Sequence, residues 1–317
     1  MQPWFICLAL FLVMQGVSLA NGTDMALVKS RIIENQTAAP VYTSNIASLR
    51  SSLAADGTWS DIDYTSTAQT GWTPATHLTR IRTLARAYAK PGTTLTGNLS
   101  LLADIHRALD AWISRDPVST NWYNNEIAAP RSLGEIMILV EATLGEPRMT
   151  AGLSRISRAY VPRSNNTDTN TGANRSDRAY ASLMRGLLAA DLALVTESFL
   201  AIGDSIIVTT AEGIQPDQTY QQHGAQLYIQ GYGSDFLSGT LLSTDWARGT
   251  VFAFDPLQIR VLTDFLLDGV QWFIRGDSMD FTAAGRGVHA RQPGQHCGGL
   301  SEFSHYRTRH RWRLPGS

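Results

Sequence analysis

Cysteine is nearly absent: among 317 residues only Cys7 and Cys297 carry a thiol. Cys7 falls in a leader-like stretch, so no internal disulfide is expected in the mature chain, and stability has to come from packing. Beyond the first twenty residues no apolar run is long enough to span a bilayer. Alternating apolar and polar residues, the mark of a half-buried strand, are scarce, which argues against a β-rich fold. The Cys, His and carboxylate spacings match no metal site, and neither metal nor cofactor is expected. Charge of either sign is not in excess, with 26 basic and 27 acidic residues, so nothing global draws the chain to nucleic acid. At 44% hydrophobic it has the material for one large core or two ordinary ones, and disorder is not the default.

What is present begins with an uncharged segment, residues 1–20, whose apolar run Trp4 to Val13 ends in Val17-Ser18-Leu19-Ala20. It reads as a secretory signal peptide, implying an extracellular protein with no membrane attachment after cleavage. Five Asn-x-Ser/Thr sequons, at Asn21, Asn35, Asn98, Asn165 and Asn174, fit that setting if exposed. From Thr76 the periodicity is helical. Leu78, Ile81, Leu84, Ala85 and Tyr88 share a face before Pro91-Gly92. Leu99, Leu102, Ile105, Leu109, Trp112 and Ile113 do so before Asp116-Pro117, and Leu133, Ile136, Met137, Val140 and Leu144 before Gly145. A longer helix is expected from Asp177 to about Leu200, and another from Asp255-Pro256, a cap followed by a first-turn proline, through Phe265 and Trp272. Successive helices joined by polar loops predict an all-α array of helical hairpins.

The unusual residues lie between these helices. Gly213 to Gly233 crowds His223, Tyr232 and several amides between glycines, where backbone can turn sharply and a ligand can approach. A neutral imidazole and a phenol facing one ligand could relay a proton, although such residues also serve simply to bond loop backbone. Asn121-Trp122-Tyr123 puts two aromatics after a helix stop, as a loop that could stack on sugar rings or plug into the core. Asn165 to Arg175 is a polar turn that could present Asn174 and helix-terminal N–H groups to an anion, or merely cap a helix.

Taken together these stretches resemble one family, the polysaccharide lyases that include hyaluronate, chondroitin AC and xanthan lyases (family 8). The matching text is Trp59-Ser60-Asp61-Ile62-Asp63-Tyr64 with His77-Leu78-Thr79-Arg80, Asn121-Trp122-Tyr123 followed by Glu126-Ile127, Thr171-Gly172-Ala173-Asn174-Arg175, Gln222-His223-Gly224 with Gly231-Tyr232-Gly233, and Gly285-Arg286-Gly287, in the family's order across residues 45–291. The resemblance implies an incomplete (α/α) toroid of helical hairpins as the catalytic domain over 21–291. It implies Asn174, His223, Tyr232 and Arg286 as catalytic residues, and Asn121, Trp122, Tyr123 and Arg291 as substrate contacts. The implied reaction is β-elimination at a uronic acid of an acidic polysaccharide, with Asn174 neutralising the carboxylate and Tyr232 carrying the proton. A lowered phenolic pKa is expected there, favoured by Arg286.

The chain departs from the family pattern where Gln218 follows Asp217, where Tyr123 replaces a second Trp, and where Arg291 follows Arg286 by five residues instead of four. The family's C-terminal β-sandwich has no counterpart before Ser317. From Arg286 onward there are six arginines against Glu302 alone, leaving 20 basic and 26 acidic residues elsewhere. Residues 292–317 therefore read as an irregular basic tail, the expected product of a truncation or frameshift. Three functions stay open on the sequence: a secreted lyase, a weakly active or inactive carbohydrate-binding remnant, and a toroid glycoside hydrolase using Asp61, Asp63 or Glu126. Oligomeric state and substrate choice are not encoded in these motifs.

Overall fold

The structure, a computed structural model, describes residues 22–167, 169–275 and 278–290, with the backbone alone for 287–290. The expected signal peptide, Arg291 and the basic tail lie outside the described residues. The described residues are mostly helical, as the periodicity predicts, and the described strands are two residues long. It divides into two compact units.

The first unit comprises the chain up to Pro162 together with Arg178–Phe199 and Gly249–Phe252. Its helices are α1 (22–36), α2 (Thr43–Ser51), α3 (Pro74–Ala89), α4 (Leu99–Arg115), α5 (Ala129–Val140), α6 (Glu146–Ile156) and most of α7 (Gly172–Leu188). Helix α4 starts where Asn98 accepts the Leu101 N–H and ends at Asp116, whose φ of 45° stops the ladder. Helix α3 packs on α4 and α5, and α5 packs on α6. Ile81, Leu84, Ile105, Leu109, Ile136 and Met137 are fully buried there, each gaining about 2 kcal/mol from leaving water.

Two expectations need correcting here, and a third in the second unit. The helix from Asp177 to Leu200 is two helices, α7 and α8 (Leu192–Ser205), because Ala190 turns left-handed at φ 52° and Asp191 caps the Leu194 N–H. Trp122 and Tyr123, read as loop, open a helical stretch that runs through a π-turn, Asn124–Ala128, into α5. Asn121 is the reason: its side chain accepts the Tyr123 N–H at 3.1 Å, as an N-cap does.

The second unit comprises Arg163–Asp177, Leu200–Arg248 and the chain from Ala253. Strand β1 (Gly213–Ile214) pairs antiparallel with β2 (Tyr220–Gln221), in the register Gly213 to Gln221 and Ile214 to Tyr220. Helix α9 (Ser234–Ala247) packs on α10 (Pro256–Asp264), whose start is a capping box between Asp255 and Gln258. Helix α10 stops at Asp264 and passes into a π-turn and a short 3-10 turn, so the single helix expected through Trp272 is broken. Tyr220, Phe236 and Phe265 are fully buried with ring centroids 5.3, 5.8 and 6.5 Å apart, making the aromatic floor on which the β1–β2 ribbon rests. A second ribbon pairs β3 (Ile274–Arg275) with β4 (Ser278–Met279).

Candidate active site

The β1–β2 ribbon delivers the histidine. Past β2 the chain turns through Gln222, His223 and Gly224, and returns so that Leu227 bridges back to Gln221. The turn is made by two consecutive left-handed residues, His223 at φ 62° and Gly224 at φ 82°. For glycine this is free, but for histidine it is a strained conformation that the surroundings must impose. Glu212, just before β1, imposes it: its Oε1 accepts the His223 N–H at 2.6 Å and the Gly224 N–H at 3.3 Å. Successive N–H groups of this kind form a small anion nest, here filled by a carboxylate. The other oxygen of Glu212 accepts the Gln222 side-chain amide and, at 2.7 Å, the Thr171 hydroxyl.

Tyr232 comes from a π-turn, Ile229–Gly233, that runs directly into α9. Gly231 has a φ of 96°, a conformation closed to most side chains, and lets the backbone pass against the Tyr228 ring. The phenol of Tyr232 lies 3.0 Å from His223 Nε2, with the rings edge-on at 5.0 Å. Tyr228 packs edge-on against Tyr232 at 5.1 Å and touches Gly285, where a φ of 52° and the ring leave no room for a Cβ. Arg286 follows, and its Nη2 donates to His223 Nε2 at 2.7 Å.

A guanidinium has only donors, so Nε2 is the accepting nitrogen and the proton of the neutral imidazole sits on Nδ1. Burial, and then the Arg286 charge, holds His223 below its ordinary pKa of 6.5, so it is neutral near pH 7. The Tyr232 hydroxyl can thus donate to the Nε2 lone pair, in competition with Arg286. The phenol itself is not acidified in the free site. Burial raises its pKa more than the charge and hydrogen bond of Arg286 lower it, contrary to the expected fall; Tyr228 and Asp177 add to the rise.

Asn174 stands in the first turn of α7 and is buried, which leaves its sequon inaccessible. Its side-chain oxygen has no hydrogen-bond partner. The turn before it is tied to the histidine turn twice, by Thr171 on Glu212 and by the Ala173 N–H on Gln222 Oε1 at 3.4 Å. Gly172, at φ 50°, sits so close to Gln222 that a Cβ would lie 2.5 Å from Oε1. Asn174, His223, Tyr232 and Arg286 thus share one unit, and the last three are in direct contact. Glu212 and Tyr228 escaped the sequence reading because their partners come from separate segments that only the fold brings together, which leaves no motif.

Asn121, Trp122 and Tyr123 lie in the other unit. Asn121 is occupied as a cap and also donates to the Gln69 carbonyl at 3.3 Å. Trp122 is partly exposed, with the Arg178 guanidinium 5.2 Å from its ring and Tyr123 edge-on at 6.2 Å. Buried Arg178 bonds Glu126 at 2.5 Å, so this acid is paired with a cation.

Comparison with known proteins bears on the family and the helical fold. The profile described as polysaccharide lyase family 8, N terminal alpha-helical domain, matches residues 16–303. The chondroitinase-AC of Pedobacter heparinus is 35% identical over 243 residues, covering 74% of this chain and 33% of that protein. The hyaluronate lyase of Thermasporomyces composti is 24% identical over 281 residues, 87% of this chain and 35% of that one. A solved chondroitinase AC lyase, studied as oligosaccharide complexes and by mutagenesis, superposes with a TM-score of 0.79 at 30% identity, covering 86% of this chain and 40% of its own. The chain therefore spans about a third of the length of the curated relatives it matches.

Proposed function

Because the chain belongs to polysaccharide lyase family 8, we propose that it carries the proton-transfer machinery for β-elimination at a uronic acid of an acidic polysaccharide, chondroitin or hyaluronan first. The observation that carries this reading is the contact of His223, Tyr232 and Arg286 around one nitrogen. The substrate proton lies next to a carboxylate and leaves only if the charge that spreads onto that group is met by donors. Asn174 supplies the amide for this. Tyr232 gives its proton to the neutral His223 Nε2, and Arg286 stabilises the phenolate so formed. The phenolate takes the substrate proton, the bond to the 4-oxygen breaks, and the same tyrosine hands the proton to the departing oxygen. His223 then returns its proton to the phenolate, leaving the site unchanged and the sugar unsaturated. Trp122 offers a ring for a sugar to stack on.

The experiment is a panel of chondroitin, hyaluronan and xanthan followed by the ultraviolet absorbance of an unsaturated uronide. That absorbance growing with new chain ends is the expected result. New ends without it would mean hydrolysis, and binding with neither product a carbohydrate-binding role. We place the activity outside the cell on the leader-like character of residues 1–20; sequencing the N-terminus of the exported protein tests this.

A further inference from the structure

We propose that Glu212 is the positioning residue of the site, holding the His223 turn in its strained conformation and locking it to the turn that carries Asn174. The inference rests on His223 being the proton acceptor for Tyr232 and adds a residue to which no sequence motif points. One carboxylate receives four donors from two segments. His223 N–H and Gly224 N–H meet Oε1, while the Thr171 hydroxyl and the Gln222 amide meet the second oxygen. Hydrogen bonds to an ionised acceptor are shorter and stronger than neutral ones, and a left-handed histidine persists only when such contacts over-determine it. Gln222, itself fully buried, repeats the link by accepting the Ala173 N–H and the Tyr220 hydroxyl, both at 3.4 Å. Removing the carboxylate frees the two N–H groups to turn outward, and the imidazole then swings away from Arg286 and Tyr232.

The titration of His223 reads this directly. The charged and titratable groups that face it are Arg286, Glu212 and Tyr232, with Tyr228 and Asp177 acting on the tyrosine. Burial and Arg286 depress the histidine, whereas the Glu212 charge raises it. Loss of the charge alone would therefore move the titration down, and release of the ring would move it up toward 6.5. The two consequences of deleting Glu212 have opposite signs.

Glu212→Ala is compared with the parent protein by NMR titration of the His223 ring, with the melting temperature as control. An upward shift with a cooperative melt is expected, together with roughly a hundredfold loss of kcat at little changed KM if the protein eliminates uronides, because a misplacement of about 1 Å costs that much. A titration that stays or moves down overturns the proposal. Glu212→Gln keeps the shape of the side chain but removes the charge and turns an NH2 group toward one pair of the four donors; it takes the same reading if the alanine variant fails to fold. A protein that forms no unsaturated product refutes the proposed function while the titration still judges Glu212.

Discussion

Each unit contains a histidine bonded to a tyrosine, and the two pairs are built to opposite ends. In the first unit His77 projects from α3 with no exposed surface, edge-on to Trp59 at 4.9 Å and beside Trp112 at 5.6 Å. Both ring nitrogens are used: Nε2 meets the Ala108 carbonyl at 2.9 Å and must donate, which leaves Nδ1 to accept the Tyr64 hydroxyl at 2.7 Å. In the second unit one nitrogen of His223 meets two donors, the backbone is strained and the residue lies at the surface with its ring only partly covered. The first arrangement is saturated and can only be broken. The second holds a competition for one lone pair, which is what the proposed proton relay needs and a core contact does not.

Removing the hydroxyls sharpens the contrast most. Tyr232→Phe is expected to lower elimination at least about a thousandfold, within the range of general acid–base groups, while the melting temperature and polymer binding hold. Tyr64→Phe should do the reverse, since it unsatisfies His77 and the Trp59 backbone N–H, which donates to the same oxygen at 3.1 Å. Kinetic constants and melting curves for both variants check the pair; substantial turnover by Tyr232→Phe would remove Tyr232 from its role.

The next effect is on stability. Burial lowers the pKa of His77 to about 4 from 6.5. Its folded pKa is the lower one, so its contribution is complete above 6.5 and fades as pH falls toward 4, because the unfolded chain takes up the proton first. The loss is about 3 kcal/mol over that window, an order-of-magnitude value at about 1.4 kcal/mol per unit. Melting temperature measured between pH 7 and 4 should fall accordingly, and His77→Gln, less stable at pH 7, should lack this slope.

Gly285→Ala tests the wall behind the second pair. The added methyl would run into the Tyr228 ring at a φ of 52°, so Arg286 and Tyr232 must shift, and a displacement of about 1 Å costs roughly a hundredfold in kcat. A variant with normal kcat would show that Tyr228 yields freely.

Much of this was legible beforehand, for identifiable reasons. The helix start at Asp255 was readable because a cap is a local event written in one side chain and its third neighbour. The break after Leu188 was hidden because apolar spacing continues across it through Leu192, Leu194 and Val195, while the turn is made by Ala190, an ordinary helix former. The glycines around His223 and Tyr232 marked where backbone is bent. The sign of the Tyr232 shift was not readable, since it depends on how much burial opposes Arg286, and burial belongs to the assembled unit. Glu212 was silent for a similar reason: a lone acid in a turn signals nothing until the N–H groups it binds are in place.

The smallest expected effect belongs to Trp122. Its ring has the Arg178 guanidinium 5.2 Å from the centroid, and Glu126 fixes that guanidinium in turn. A ring steadied this way loses little freedom when a sugar settles on it, which is the condition for an aromatic platform to contribute affinity. Truncation also leaves the buried Arg178 with its Glu126 partner, so the fold should survive. Trp122→Ala is therefore expected to weaken oligosaccharide binding by about 1–3 kcal/mol, the range for an aromatic anchor, with a melting temperature close to that of the parent. Calorimetric titration of the folded variant with chondroitin and hyaluronan oligosaccharides decides it. An unchanged affinity with a lowered melt would return Trp122 to the company of Trp59 and Trp112, as packing around the first unit.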